Sequence, residues 1–242
     1  MTEKTKGIII KQSDFGEGHR MLWIFTEKYG IVKAVAHGAE KTKSKSSAST
    51  QFLALSEFEF FDGGEVWNIK SVIPSDTFWP LQEDIKKLAL CTYFADLIYY
   101  CLDLRNPDEN ILRLFLNTLY ACAYKNTSLE ILKLIFEIKL MYFSGLLPLP
   151  SECSACSGEE KPEYFDKKSG EVLCKNCARG SSVHLTEDEY KVLYFGIFSD
   201  VKKMFSYILP EVAVKTLGKT IEEYVETALD KKVKSLEYYK KL

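Results

Sequence analysis

The sequence predicts an α+β fold: a five-stranded OB-type β-barrel at the N-terminus, followed by a helical domain that carries a four-cysteine, zinc-ribbon-like insert. Three observations predict it. Short apolar runs separated by glycine turns occupy the first 80 residues, and longer runs with apolar residues at helical spacing occupy most of the remainder. Within the latter, Cys153 and Cys156 form one CxxC pair and Cys174 and Cys177 a second, with seventeen residues between Cys156 and Cys174. The expected organisation is a barrel over 1–80, a first helical part over 81–150, a metal-binding insert over 151–180 and a second helical part over 181–242.

In the barrel, strands are expected over Gly7–Gln12, Arg20–Thr26, Gly30–His37, Phe52–Phe61 and Glu65–Ile73. Gly16-Glu17-Gly18, Glu27-Lys28-Tyr29-Gly30 and Asp62-Gly63-Gly64 punctuate them. Nothing in this stretch covers a two-sided open sheet. Closure into a small barrel solves that problem; an OB-type barrel is the common five-stranded solution and an SH3-like barrel the alternative.

Pro80 suits a first helical turn, and Leu81, Ile85, Leu88, Cys91, Ala95, Ile98 and Leu102 form one apolar stripe of a long helix reaching Asp103. A second helix is expected from Asp108 to about Tyr124. A third runs to Phe143 behind a Thr127/Glu130 capping box, with Gly145 as its stop. After the cysteines, Thr186 and Glu189 form another capping box for a helix reaching Phe198. Ser199–Leu209 and Thr220–Glu237 are expected to be helical, separated at Gly218.

Two hooks at the cysteine spacing place four sulfurs around one ion. Zinc accepts a tetrahedral set of thiolates, and a full set leaves no open position for water or substrate, so one structural Zn2+ is expected. Two disulfides and an iron–sulfur centre are the alternatives. The segment between the hooks has few large apolar residues beyond Tyr164, Phe165, Val172 and Leu173, so metal binding is expected to supply much of its folding energy. Cys91, Cys101 and Cys122 lie in apolar runs and read as core residues.

The chain has 242 residues and a net charge of -2 from 32 basic and 34 acidic side chains, which excludes a global field able to hold a polyanion. Contact with nucleic acid must come from a local patch. Lys41, Lys43 and Lys45 alternate with small polar residues after the third strand, and Lys11, Arg20 and Lys33 extend the same sign; these six are the candidate DNA-binding residues. Trp23, Tyr29 and Trp67 are candidate stacking rings. The blander reading makes the lysines a solvated loop and the rings core. No apolar run qualifies as membrane-spanning, and the start Met-Thr-Glu-Lys without a hydrophobic leader points to the cytoplasm. The histidines, His19, His37 and His184, stand at no recognisable spacing from a nucleophile, and no GxxxxGK loop occurs; a catalytic site is not expected.

The chain resembles the RecO family of bacterial DNA repair and recombination mediators nearly end to end. The resemblance lies in Gly16-Glu17 before Arg20–Thr26, Gly30, and the step from Ala36 to Ala39. It continues in Phe136 to Pro148, followed by Cys153-Ser-Ala-Cys156, Tyr164-Phe165, Gly170 and Cys174-Lys-Asn-Cys177. It implies an N-terminal OB fold, a helical C-terminal part with a cysteine zinc site, binding of single- and double-stranded DNA, and annealing of complementary strands. It further implies loading of RecA, together with RecR and RecF, onto DNA coated by single-strand binding protein, whose acidic C-terminal tail would dock on a lysine-rimmed apolar groove. A nucleoid-associated location follows from the same resemblance. The alternative is a zinc-ribbon adaptor that binds proteins without annealing DNA.

Overall fold

The computed structural model describes residues 2–37, 49–61, 63–156, 158 and 160–242. Lys41, Lys43 and Lys45 lie outside the described residues. Five strands, β1 (Thr2–Asp14), β2 (Arg20–Thr26), β3 (Gly30–Ala36), β4 (Leu55–Phe61) and β5 (Val66–Asp76), close into a barrel in the order β1-β2-β3-β5-β4. All neighbours are antiparallel except β3 and β5, and β1 meets both β2 and β4. One long strand therefore closes the cylinder, and its register shift between Ile9 and Lys11 lets it bend between two partners. This is an OB-like barrel. Ile9, Leu22, Ile24, Phe58, Phe60 and Trp67 fill it.

Ile8, Ile10 and Phe25 are buried as well, on the other side of the pleat, because helix α2 (Ile85–Cys101) packs against β1. The imperfect alternation of the sequence has this cause: part of the barrel is apolar on both faces. The expected single helix from Leu81 is instead two pieces, α1 (Trp79–Gln82) and α2. Asp84 interrupts them by accepting the Lys86 and Lys87 amides, 3.0 and 3.1 Å, and starts a new helix.

Beyond α2 the chain returns to the barrel. Leu104 bridges to Ile31, and the Arg105 amide donates to the Ile31 carbonyl at 3.1 Å. Gly30, at φ +61°, ends the β2–β3 turn so close to the Asn106 backbone that a Cβ would overlap it. These contacts make 1–112 together with 238–242 one compact unit and 113–237 the other. The first unit thus extends past residue 80, since the strand bridge and α2 belong to the barrel's packing.

The next helix is α3 (Glu109–Tyr124). In the second unit, α4 (Leu129–Phe143), α5 (Glu187–Phe198) and α6 (Glu211–Ala228) pack on one another, and α7 (Lys234–Tyr239) follows. The capping box at Thr186/Glu189 forms, with the Thr186 amide 2.7 Å from the Glu189 carboxylate. The one expected at Thr127 does not: Ser128 is the N-cap of α4 and its side chain makes no capping bond. Ser199–Leu209 is not helical. Lys139, 1% exposed, donates to the carbonyls of Ile197 (3.1 Å) and Ser199 (2.6 Å), so the end of α5 is capped by a distant ammonium and the chain turns away. Burial pulls the Lys139 ammonium down to about 8, against the opposing pull of Asp200. Gly218 does not divide its region either. The stripe Ala213, Val214, Leu217, Ile221, Tyr224 and Val225 is buried continuously across it, which holds α6 in one piece. Among the described residues, no helix is long and apolar enough to cross a membrane.

Candidate metal centre and nucleic-acid face

Proline-rich chain after α4 leads into the cysteines and is held at two points. The Tyr224 hydroxyl donates to the Leu146 carbonyl and the Tyr190 hydroxyl to the Pro150 carbonyl. A small three-stranded sheet follows, in the order β7-β6-β8, built from β6 (Tyr164–Asp166), β7 (Val172–Leu173) and β8 (Ser182–His184). Cys153 and Cys156 precede it and are fixed to β7 by the Ser154 amide, which donates to the Val172 carbonyl at 3.0 Å. Cys174 and Cys177 follow β7 in a turn closed by the Cys177 amide on the Cys174 carbonyl, 3.1 Å.

The four sulfurs lie within 4.8 Å of one another, and the Cys156 and Cys174 sulfurs are 4.0 Å apart. A tetrahedral zinc with Zn–S bonds of about 2.3 Å requires S–S edges of about 3.8 Å. A disulfide requires about 2.0 Å, so neither hook is closed on itself. The donor set fits a thiophilic dication. Burial pushes the Cys153 thiol up, but backbone amides of Cys174, Ala155 and Cys156 outweigh it and hold the group down to about 6. Hydrogen bonds to the Cys156, Cys174 and Cys153 sulfurs push Cys177 up to about 12. Four sulfurs gathered this closely would repel one another as thiolates, and a dication among them offsets that repulsion. The four cysteines therefore form a site capable of holding one metal ion.

The sheet beside the site is pinned by Asp166, which sequence reasoning missed. Its carboxylate accepts from the Lys168 and Ser169 amides at 2.9 and 3.0 Å and from the Ser181 and Ser182 hydroxyls at 2.7 and 3.1 Å. Burial pushes this carboxyl up, yet the Ser181 hydroxyl, the two amides and the Ser182 hydroxyl together hold it at about 2. Its depressed value means that the stability it contributes is complete above the unfolded carboxyl's range, about pH 4, and is lost as pH falls toward 2. Asp166→Asn is expected to lower stability by about 2 kcal/mol at pH 7. Urea denaturation of both proteins should show that gap constant above about pH 4 and closing as pH falls from there toward 2. Gly170 completes the β6–β7 hairpin at φ +72°, where a Cβ would overlap the Tyr224 ring; Phe165 meets that ring edge-on at 5.6 Å.

On the barrel, Lys11, Trp23 and Lys33 are direct cross-strand partners on β1, β2 and β3, which places them in one row on the outer face. The Lys11 ammonium lies 5.0 Å from the Trp23 ring centroid and 4.4 Å from that of Tyr99 on α2. Arg20 stands at the end of β2 opposite Asp14. Trp23 is half-buried, with its indole N–H enclosed and lacking a hydrogen-bond partner. Tyr29 donates its hydroxyl to the Glu3 carboxylate. Trp67 is a core ring: it is 5% exposed, and Tyr29 and Phe60 meet it edge-on at 5.1 and 5.2 Å. It has no open face for a base, because β5 turns it into the barrel.

Two family profiles match the chain: one described as Recombination protein O N terminal over residues 1–78, and one as Recombination protein O C terminal over residues 82–237. The chain is similar to the DNA repair protein RecO of Acetivibrio thermocellus, 30% identical over 243 residues that cover 99% of this chain and 96% of that one. It is also similar to the proteins of the same name from Oceanobacillus iheyensis, 31% identical over 93% of this chain and 88% of that one, and Alkaliphilus metalliredigens, 28% identical over the whole of both. The two matches meet between residues 78 and 82 and together reach into both compact units. A barrel of the OB order, a helical part bearing four gathered cysteines and profile matches over both halves lead to one conclusion: this chain belongs to the Recombination protein O family, whose role is non-catalytic.

Proposed function

We propose that this chain is a DNA repair and recombination mediator. It binds single- and double-stranded DNA, anneals complementary strands, and works with RecR and RecF to load RecA onto DNA coated by single-strand binding protein, acting at the nucleoid. The observation that carries this reading is the match to the family over nearly the whole chain. The row Lys11–Trp23–Lys33 supports it, since charge beside a ring on an OB-like barrel suits a backbone held without a sequence code. Arg20 and, by their place in the sequence, Lys41, Lys43 and Lys45 add positive charge to the same barrel. The four cysteines hold one Zn2+ that braces the 151–180 insert and takes no part in chemistry.

Annealing requires no bond making. Two strands repel through their phosphates, and lysines that neutralise them while leaving base edges free lower the cost of bringing the strands together. Each phosphate neutralised on a single strand contributes about 0.7 to the slope of log affinity against log salt, so replacing Lys41, Lys43 and Lys45 by Ala is expected to flatten that slope by about 2. Fluorescence anisotropy with labelled oligonucleotides over a salt series measures it, and an annealing assay on complementary strands tests the activity. A folded protein that shows no affinity for single strands, alone or with RecR, and no annealing would replace this reading with that of a protein-binding adaptor.

A further inference from the structure

Helix α5 carries two stripes, and packing of the core explains one of them. Val192, Leu193, Gly196 and Ile197 are buried, with Gly196 set against Ile138 of α4 so closely that a Cβ would press on its side chain. The other stripe, Tyr190, Tyr194 and Phe198, repeats every fourth residue and faces outward, where Tyr207 joins it from the turn after the helix. Tyr194, Phe198 and Tyr207 are 46, 47 and 55% exposed. Together these rings line a groove of about 760 Å³, in the range of ligand clefts.

The chemistry of the lining narrows the occupant. Its apolar side chains are all aromatic: Tyr190, Tyr194, Phe195, Phe198 and Tyr207, with no aliphatic side chain among them. Tyr194 and Phe198 lie 4.3 Å apart, tilted by 38°, and Tyr207 meets Phe195 edge-on at 5.0 Å, so outward ring surface is presented at more than one angle. Lys161, Lys191 and Lys203 stand at the rim. Lys161 sits 5.6 Å over the Tyr190 ring and 3.8 Å from the Glu163 carboxylate in a solvent-exposed pair, which costs little to open, and Lys191 is paired with Glu187 at 2.8 Å. Asp200, exposed at the rim, accepts the Lys202 amide at 2.8 Å, so the lining carries three lysines against two carboxylates, Glu187 and Asp200. Exposed rings beside lysines suit unpaired bases, which stack on the ring faces while their phosphates meet the ammonium groups.

We infer that the aromatic groove on α5 is a second single-strand site, in which unpaired bases stack on Tyr194, Phe198 and Tyr207 while Lys161 and Lys203 meet the phosphates. The assignment rests on the DNA-binding reading above and adds to it: annealing handles two strands, and this site lies in the other compact unit from the barrel row.

The test uses the full chain and a single-stranded oligonucleotide carrying 5-bromodeoxyuridine. Ultraviolet cross-linking followed by peptide mass spectrometry is expected to join the probe to Tyr194 or Tyr207. Tyr194→Ala combined with Tyr207→Ala should weaken binding of that oligonucleotide roughly tenfold or more, and Tyr194→Trp, which keeps a ring, should retain it. Both tyrosines are about half exposed, and circular dichroism checks that the variants fold. If wild type binds single strands but the double variant binds equally well and cross-links fall on the barrel alone, the groove assignment is overturned and the mediator reading stands. If an acidic peptide protects these tyrosines and the oligonucleotide does not, the groove is a peptide site and the assignment is likewise overturned. If wild type binds no single strand, both readings fall together.

Discussion

The reduced chain is expected to carry one Zn2+ per molecule, and removing the metal, by a chelator or by Cys174→Ser, is expected to unfold the segment from Cys153 to His184. The local core explains the size of the effect. Around the site, Cys153, Leu173 and Cys174 are buried, with Tyr164 and Cys177 packed against them, and Phe165 and Val172 are the other large buried apolar side chains among the described residues of the segment. So few apolar groups offset only part of the chain entropy that ordering the segment costs. Zinc bound by four thiolates supplies on the order of 10 kcal/mol at neutral pH in small metal domains. The sheet is otherwise held by Asp166 and by the tyrosine contacts to Leu146 and Pro150. Metal analysis with hydrogen exchange measures both halves of the prediction: protection at Val172 and Leu173 should vanish with the ion while that of β2 and β3 persists. Unchanged exchange in chelated protein would show that the ribbon stands without its ion. An absorption band in the visible would favour an iron–sulfur centre instead.

Lys133→Ala is expected to destabilise the second unit by about 3 to 5 kcal/mol. Lys133 on α4 bridges Glu137, one turn on, at 2.8 Å and Glu222 of α6 at 2.9 Å. The Glu137 side chain is 0% exposed and that of Lys133 12%. Burial alone would pull the Lys133 ammonium down, but the two carboxylates outweigh it and raise the group above its ordinary value. Its contribution is therefore fully present at neutral pH and is lost only when pH rises through that raised value. Taking the lysine away leaves a carboxylate in the interior with its principal counter-charge gone. Replacing both partners, as in Lys133→Met with Glu137→Leu, should recover most of the loss, because an apolar pair of similar volume avoids the desolvation cost. Glu222→Ala should cost less than Lys133→Ala, since Glu222 keeps 17% of its side-chain surface in water. Denaturant unfolding of the three variants measures the order; a single variant as stable as wild type would show that the bridge is not what holds α4 to α6.

Three of the misplaced helix boundaries share a cause. Thr127 and Glu130 have the spacing of a capping box, but Ser128 occupies the N-cap. Ser199–Leu209 has helical spacing, yet a lysine sixty residues earlier in the chain takes the Ser199 carbonyl. Gly218 looks like a break and is not one, because the buried face of α6 runs past it. In each case a contact distant in sequence, or a competitor one residue away, outweighed a local preference worth about 1 kcal/mol.

Local spacing by itself determined the barrel strands, the capping box at Thr186 and the four-cysteine cluster, because a strand's alternation, a cap and a CxxC hook each depend on residues a few positions apart. Which rings face outward was decided by the tertiary structure alone. Trp67 and Trp23 both lie in strands, but closure of the barrel turns the first into its core and the second to the outer face, beside Lys11. The aromatic stripe of α5 reads like any core stripe until α4 and α6 take up the opposite face. Burial depends on what is packed against a surface, and that is set by contacts among elements far apart in the chain.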